Sequence, residues 1–270
     1  MASVQCPNNV KILEIKQWGD SFRLSNYGRQ FIYCSNLKFT ATDTLNISNL
    51  TSLRNTFAGC SSMTTLTGIE TWNTSNITDM VGTFNGATNF NSAIGGWNTS
   101  NVTIMTSMFA NSNFNSPIGG WNVANVQDMS YMFYNSRFNQ NINTWNVSNV
   151  RSMNSMFGLN TVFNQPLNNW NVSNVQNMGT MFYNATAFNQ NIGSWNPSSV
   201  FAFDYFMNGK TSLDYSTSNY NAILTGWSAR TLGAYITIDF GTIKYTSAAA
   251  PAKNYIINTY NWIINDGGQV

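Results

Sequence analysis

Trp145-Asn146-Val147-Ser148-Asn149-Val150-Arg151-Ser152-Met153-Asn154-Ser155-Met156-Phe157 is answered further along the chain by Trp170-Asn171-Val172-Ser173-Asn174-Val175-Gln176-Asn177-Met178-Gly179-Thr180-Met181-Phe182. The same phrase can be followed outward in both directions. Tryptophan recurs in near-equal steps at Trp72, Trp97, Trp121, Trp145, Trp170 and Trp195. Counting from each tryptophan, asparagine stands at +1 (Asn73, Asn98, Asn122, Asn146, Asn171, Asn196) and an apolar β-branched residue at +5 (Ile77, Val102, Val126, Val150, Val175, Val200). Met or Phe stands at +8 (Met80, Met105, Met129, Met153, Met178, Phe203). An apolar pair that is mostly Met-Phe comes next, and the unit closes on Phe-Asn and an Ile or Leu, as at Phe138, Asn139 and Ile142. A period of this length marks a solenoid, because one short unit cannot bury its apolar face alone and must stack on copies of itself.

Within one unit, Val126, Met129, Met132 and Phe133 share the spacing of one stripe of a short helix. Asn125 is placed to cap that helix, and Asp128 to favour its positive end. The residues around Trp121 alternate as a very short strand does. Each coil is therefore expected to be a short strand, a helix of one or two turns and a return loop. Stacking them makes an α/β repeat solenoid, with a narrow parallel sheet whose inner side is a ladder of Trp, Met and Phe. The six +1 asparagines are expected to form a structural amide ladder that satisfies turn backbone in their own and the neighbouring coil. The Asn-X-Ser/Thr sequons at Asn73, Asn101, Asn146 and Asn171 fall on repeat positions and read as by-products of that ladder.

Outward from the repeats, the chain divides into an N-terminal capping unit over 1–44, the solenoid over 45–213 and a C-terminal α/β cap over 214–270. Val10–Gln17 alternates as a strand does. A degenerate copy follows with Leu45 in the tryptophan position, and an earlier partial copy pairs Phe31, Cys34 and Leu37 with Phe57, Cys60 and Met63. Cys34 and Cys60 thus share one repeat position, read mainly as a small-residue slot, with a disulfide between neighbouring rungs as the alternative. Phe203, Phe206 and Leu213 continue the repeat in a worn last coil. Helices are expected over Asn219–Trp227 and Ala248–Tyr260, and strands over Tyr235–Tyr245 and Trp262–Ile264.

Composition narrows the function. Twelve Lys and Arg against ten Asp and Glu leave a net charge of +2, which offers no basic field for a nucleic acid. Such low charge favours self-association and a place inside an assembly. No run of about 18 apolar residues predicts a membrane span, and residues 1–10 do not read as a secretory signal in this numbering. The chain has no histidine, three cysteines and, inside the repeats, only widely separated aspartates. Metal and cofactor sites are therefore not expected, nor are the paired acid-base groups of an enzyme. Asp204, Asp214, Asp239 and Asp266 in the cap read as scattered surface acids.

The phrase at 145–157 and 170–182, with its Phe-Asn-Gln-x-Ile close, resembles the repeat of the BspA-type leucine-rich-repeat surface proteins of mycoplasma and other bacteria, viruses and protists. The resemblance covers roughly Val10 to Gly268. Asparagine replaces the family's usual Asp after Trp in all six units, which removes its acidity. The resemblance implies a leucine-rich-repeat-like superhelix at a cell or particle surface, acting in adhesion or recognition, with no catalytic residue.

The expected function is accordingly non-enzymatic recognition of a protein or glycan partner on a cell or particle surface, through the outer face of the coils. The alternative is a structural component of a viral or phage particle, as a capsid decoration or fibre protein. Tyr131, Tyr134, Arg151 and Tyr183 point away from the apolar stripe and are the expected contact residues.

Overall fold

The computed structural model describes residues 14–270; the expected N-terminal strand is therefore covered only from Glu14, and Cys6 lies outside the described residues. Strand β1 (Glu14–Ile15) pairs in parallel with β2 (Lys38–Phe39). From there the coils stack in register. Single-residue parallel bridges join Ser52 to Asp79, Asp79 to Ile104, Ile104 to Asp128, Asp128 to Ser152, Ser152 to Asn177 and Asn177 to Ala202. Each partner stands at +7, so the ladder runs one position before the buried Met rather than through the tryptophan, where no strand forms.

No α-helix forms over Val126–Phe133 or its equivalents. The amides of Met129, Tyr131, Phe133 and Asn135 donate to the carbonyls of Ser152, Asn154, Met156 and Gly158 in the next coil. Met105, Ser107, Phe109 and Asn111 do the same one coil earlier. An α-helix spends its N–H groups on its own carbonyls four residues back, whereas here every second one crosses to the neighbour. The backbone achieves this with left-handed residues at +10 and +14: Ser107 and Asn111, Tyr131 and Asn135, Ser155 and Leu159, Thr180 and Asn184. Gly82 fills the +10 position without steric cost, and a Cβ there would fall on the Asn55 amide oxygen. Thr180, at φ 52°, is β-branched and holds the same conformation only because the stack imposes it.

Three aromatic columns run through the core. The indoles of Trp97, Trp121 and Trp145 stack nearly parallel with centroids 6.4 and 6.5 Å apart, and Trp170 and Trp195 repeat the arrangement. Phe84, Phe109, Phe133, Phe157 and Phe182 form the second column at 5.7–5.9 Å. Phe90, Phe114, Phe138, Phe163 and Phe188 form the third at 6.0–6.3 Å. Within a coil the second and third columns are in face contact, as at Phe133 and Phe138, 3.9 Å apart. Offset or inclined aromatic pairs contribute about 0.5–1.5 kcal/mol each beyond their buried area.

Each indole also makes a polar link. Trp97, Trp121, Trp145, Trp170 and Trp195 donate Nε1–H to Ile69, Ile94, Ile118, Ile142 and Leu167, the residue three before the previous tryptophan. Trp72 begins the column, and its buried Nε1 has no partner among the described residues. Trp121→Phe should therefore lose a hydrogen bond of about 1 kcal/mol that Trp72→Phe does not lose. Urea unfolding of the two variants checks this: Trp72→Phe should be the milder change, and equal losses would remove the assigned role of the N–H.

Asparagines satisfy backbone groups at three places in the coil, and two of them tie neighbouring coils together. Those at +1 accept from the backbone two positions on in their own coil, as Asn146 does from the Ser148 amide. The cross-coil bond that the sequence reading gave to them belongs instead to +4, where Asn101, Asn125, Asn149 and Asn174 donate to Ser75, Ser100, Ala124 and Ser148. Asn125 is thus a link between coils, not a helix cap. In the Phe-Asn pairs, Asn91, Asn115, Asn139 and Asn164 accept from the amides of Asn115, Asn139, Asn164 and Asn189. A solenoid turn leaves backbone groups without strand partners, and short amide side chains are shaped to satisfy them.

The C-terminal cap closes the stack. Leu213 is exposed rather than part of a worn coil; Tyr215 takes the third-column position, stacked 6.3 Å from Phe188. Helix α1 (Thr217–Ser228), capped by the Ser216 hydroxyl, delivers Trp227, whose Nε1 reaches the Ile192 carbonyl as a further tryptophan of the column would. Strand β3 (Thr237–Asp239) pairs in parallel with β4 (Ile263–Asn265), and α2 (Ala250–Tyr260) links them with Pro251 in its first turn. Phe203 bridges to Ile238, which joins the cap sheet to the repeat ladder.

Candidate binding faces

With the apolar positions buried, the side chains exposed in coil after coil stand at +1, +4 and +6, while +10 and +13 reach the surface only in some coils, as at Tyr131, Tyr134 and Tyr183. Stacking aligns them into columns, so the outer surface has two distinct faces on either side of the +7 bridge.

Beyond the bridge lie the tyrosines. Tyr131 is exposed, and its ring meets that of Tyr134 edge-on at 5.5 Å. Tyr134 leans over Gly158 of the next coil, where a Cβ would crowd the ring. Tyr183 stands at the same +13 position two coils on and is half-buried. Three of the four expected contact residues therefore share a face. Arg151 is not with them: at +6 it lies on the other side of the bridge, in a groove of about 580 Å³.

That groove is lined by Asn125, Gln127, Asn149, Arg151, Asn174, Gln176 and Ser199, from four successive coils. The three asparagines are held by their bonds to the preceding coil. Among the described residues the side chains of Gln127, Arg151 and Gln176 make no hydrogen bond or ion pair, and their backbones carry the stack: the Arg151 amide donates to Gln127, and the Gln176 amide to Arg151. A column of side chains from positions +4 and +6 of successive coils could have been read from the repeat itself. It was hidden because +6 varies, from Thr78 and Thr103 through Gln127 and Arg151 to Phe201.

A second hollow, of about 540 Å³, opens at the cap beside Asn208, Lys210, Asp239 and Asp266. Its polar groups are turned inward. Burial brings the Lys210 ammonium down to about 8, partly offset by Asp214, and it donates to the Ala185 carbonyl. Asp239 accepts from Asn208 and the Gly241 amide. Asp266 is no surface acid: its buried carboxylate accepts from the Tyr220 hydroxyl at 2.6 Å and pairs with Lys253 at 2.7 Å. Burial raises the phenols of Tyr215 and Tyr220, the latter also through Asp266.

The cysteines do not pair with each other. Cys34 is disulfide-bonded, while Cys60 is a free buried thiol that donates to the Phe31 carbonyl. Burial pushes the Cys60 thiol up to about 12, so it is a thiol, not the thiolate that nucleophilic chemistry needs. Among the described residues no three acids, cysteines or histidines are grouped to hold a metal ion, and no helix is long and apolar enough to cross a membrane.

The family DUF285, described as Mycoplasma protein of unknown function, matches residues 25–137 and again 111–220. The chain belongs to this family. The two DUF285 matches overlap within the repeats and run from the N-terminal partial copy to the start of α1. No curated protein and no solved structure matches the chain.

Proposed function

We propose that the chain is a non-enzymatic recognition protein, built as a leucine-rich-repeat-like superhelix of the BspA type, that binds a protein or glycan partner at a cell or particle surface. The observation that carries this reading is the division of positions within each coil. The apolar, aromatic and amide residues that repeat are spent on stacking, and the +6 position, which varies from Thr through Gln and Arg to Phe, is aligned in an exposed column along the outside. A stack of this kind presents a long face on which contacts can differ while the frame does not. The Cys34 disulfide supports an oxidising, extracellular setting. Catalysis is disfavoured because the groups whose protonation is most displaced, at Cys60, Lys210, Tyr215 and Tyr220, are buried and hydrogen-bonded inward.

The test is attachment of the purified chain to cells, at low and high ionic strength, for the native protein and for a Tyr131, Tyr134 and Tyr183 triple alanine variant. A face of amides and tyrosines is expected to bind with little dependence on salt, and the triple variant to lose about tenfold or more in affinity. Attachment that collapses in salt would remove the tyrosine face, and attachment that survives the variant and an Arg151→Gln change alike would remove both outer faces. Recovery of the chain only as a component of a larger particle would favour the structural alternative.

A further inference from the structure

We propose that the groove centred on Arg151 is a binding site for an acidic glycan, one bearing a carboxylate or sulfate on a sugar ring; this rests on the recognition reading above and assigns it a ligand class. The argument begins with what +6 does elsewhere. In the earlier coils Thr78 and Thr103 occupy it and turn their hydroxyls back onto the carbonyls of Thr51 and Thr78, so the position satisfies itself. In the next three coils it holds Gln127, Arg151 and Gln176, whose side chains make no hydrogen bond or ion pair among the described residues. Self-satisfied positions give way to open ones over one span, and the groove lies over that span.

The chemistry of the lining selects the ligand. Arg151 is the one charged residue of the groove, with no carboxylate among its walls. A guanidinium offers a planar fork of donors that matches a carboxylate or sulfate. Gln127 and Gln176 flank it at the rung spacing of about 4.8 Å, offering a donor and an acceptor on each side for hydroxyls. Asn125, Asn149 and Asn174 are already fixed by their backbone bonds, so their free amide atoms are preorganised and cost little to order. One coil on, the same column ends in Phe201, 68% exposed, whose amide donates to Gln176; its ring is a surface on which the C–H face of a sugar can lie. A protein partner would call for an apolar, desolvated centre, which this groove lacks. Its volume falls within the roughly 300–1,000 Å³ of ligand sites.

The experiment is calorimetric titration of the full chain with a galacturonate oligosaccharide, the neutral galactose oligosaccharide of equal length, and a sulfated form of the latter. The acidic forms are expected to bind about tenfold or more tightly than the neutral one. Arg151→Gln should abolish that preference, and Gln127→Ala with Gln176→Ala, or Phe201→Ala, should weaken all three. These side chains are exposed, so the thermal midpoints should stay unchanged, and Leu213→Ala, at an exposed residue of the cap, serves as the control that leaves glycan affinity intact. Equal affinity for neutral and acidic forms, or an Arg151→Gln variant that still prefers the acid, would overturn the assignment. So would an Arg151-dependent protein partner together with no glycan affinity. A chain that binds the uronate through Arg151 yet attaches to no cell would uphold the groove and remove the adhesion reading.

Discussion

Replacing Trp145 by alanine should lower stability by about 3–5 kcal/mol, as deletion of a buried aromatic does. The residue is 3% exposed and touches three things at once. Its ring stacks on Trp121 and lies 6.4 Å from Phe133, and its Nε1 closes a hydrogen bond to Ile118 in the preceding coil. In a stack, each coil meets only its neighbours, so an interior cavity weakens two interfaces and no distant contact compensates. Urea unfolding measures the effect; a loss below about 1 kcal/mol would mean that the column does not carry the core. Trp145→Phe should recover most of the loss.

Asp266→Ala should be nearly as damaging, at about 3–5 kcal/mol, because it strands a buried cation. The side chains of Lys253 and Asp266 are 12% and 4% exposed, and the ammonium also lies 4.6 Å from the Tyr245 ring centre. The same carboxylate accepts from the Tyr220 hydroxyl of α1 and from the Gly268 amide. It therefore ties α1, α2 and the C-terminal turn together, and the cap depends on it. Asp204 is exposed, and its alanine variant should change stability by less than about 0.5 kcal/mol. Thermal unfolding of the two variants side by side is the measurement, and equal midpoints would show that the buried pair contributes nothing.

Much of the site was readable from single residues, and part was not. Arg151 stood out as one of few charges in the repeats, but its companions did not. Sequence spacing grouped it with Tyr131, Tyr134 and Tyr183 on one helix surface, whereas the coil has no helix and the +7 bridge separates them. Asp266 was misplaced for a related reason. A lone acid near a chain end reads as solvated until α1 brings Tyr220 and α2 brings Lys253 against it.

By itself the sequence determined the period and the buried positions. Trp, Val, Met and Phe return at the same places in every unit, and hydrophobic burial depends only on such recurrence. Only the tertiary structure decided where the backbone hydrogen bonds go. Val126, Met129, Met132 and Phe133 satisfy a helical spacing and a stacked coil equally well, because both place them inward. What separates the two is whether the amides of Met129, Tyr131 and Phe133 find carbonyls in their own turn or in the next coil. Repetition settles that: an identical neighbour about 4.8 Å away offers every second N–H a partner, and the left-handed residues at +10 and +14 turn the chain to meet it.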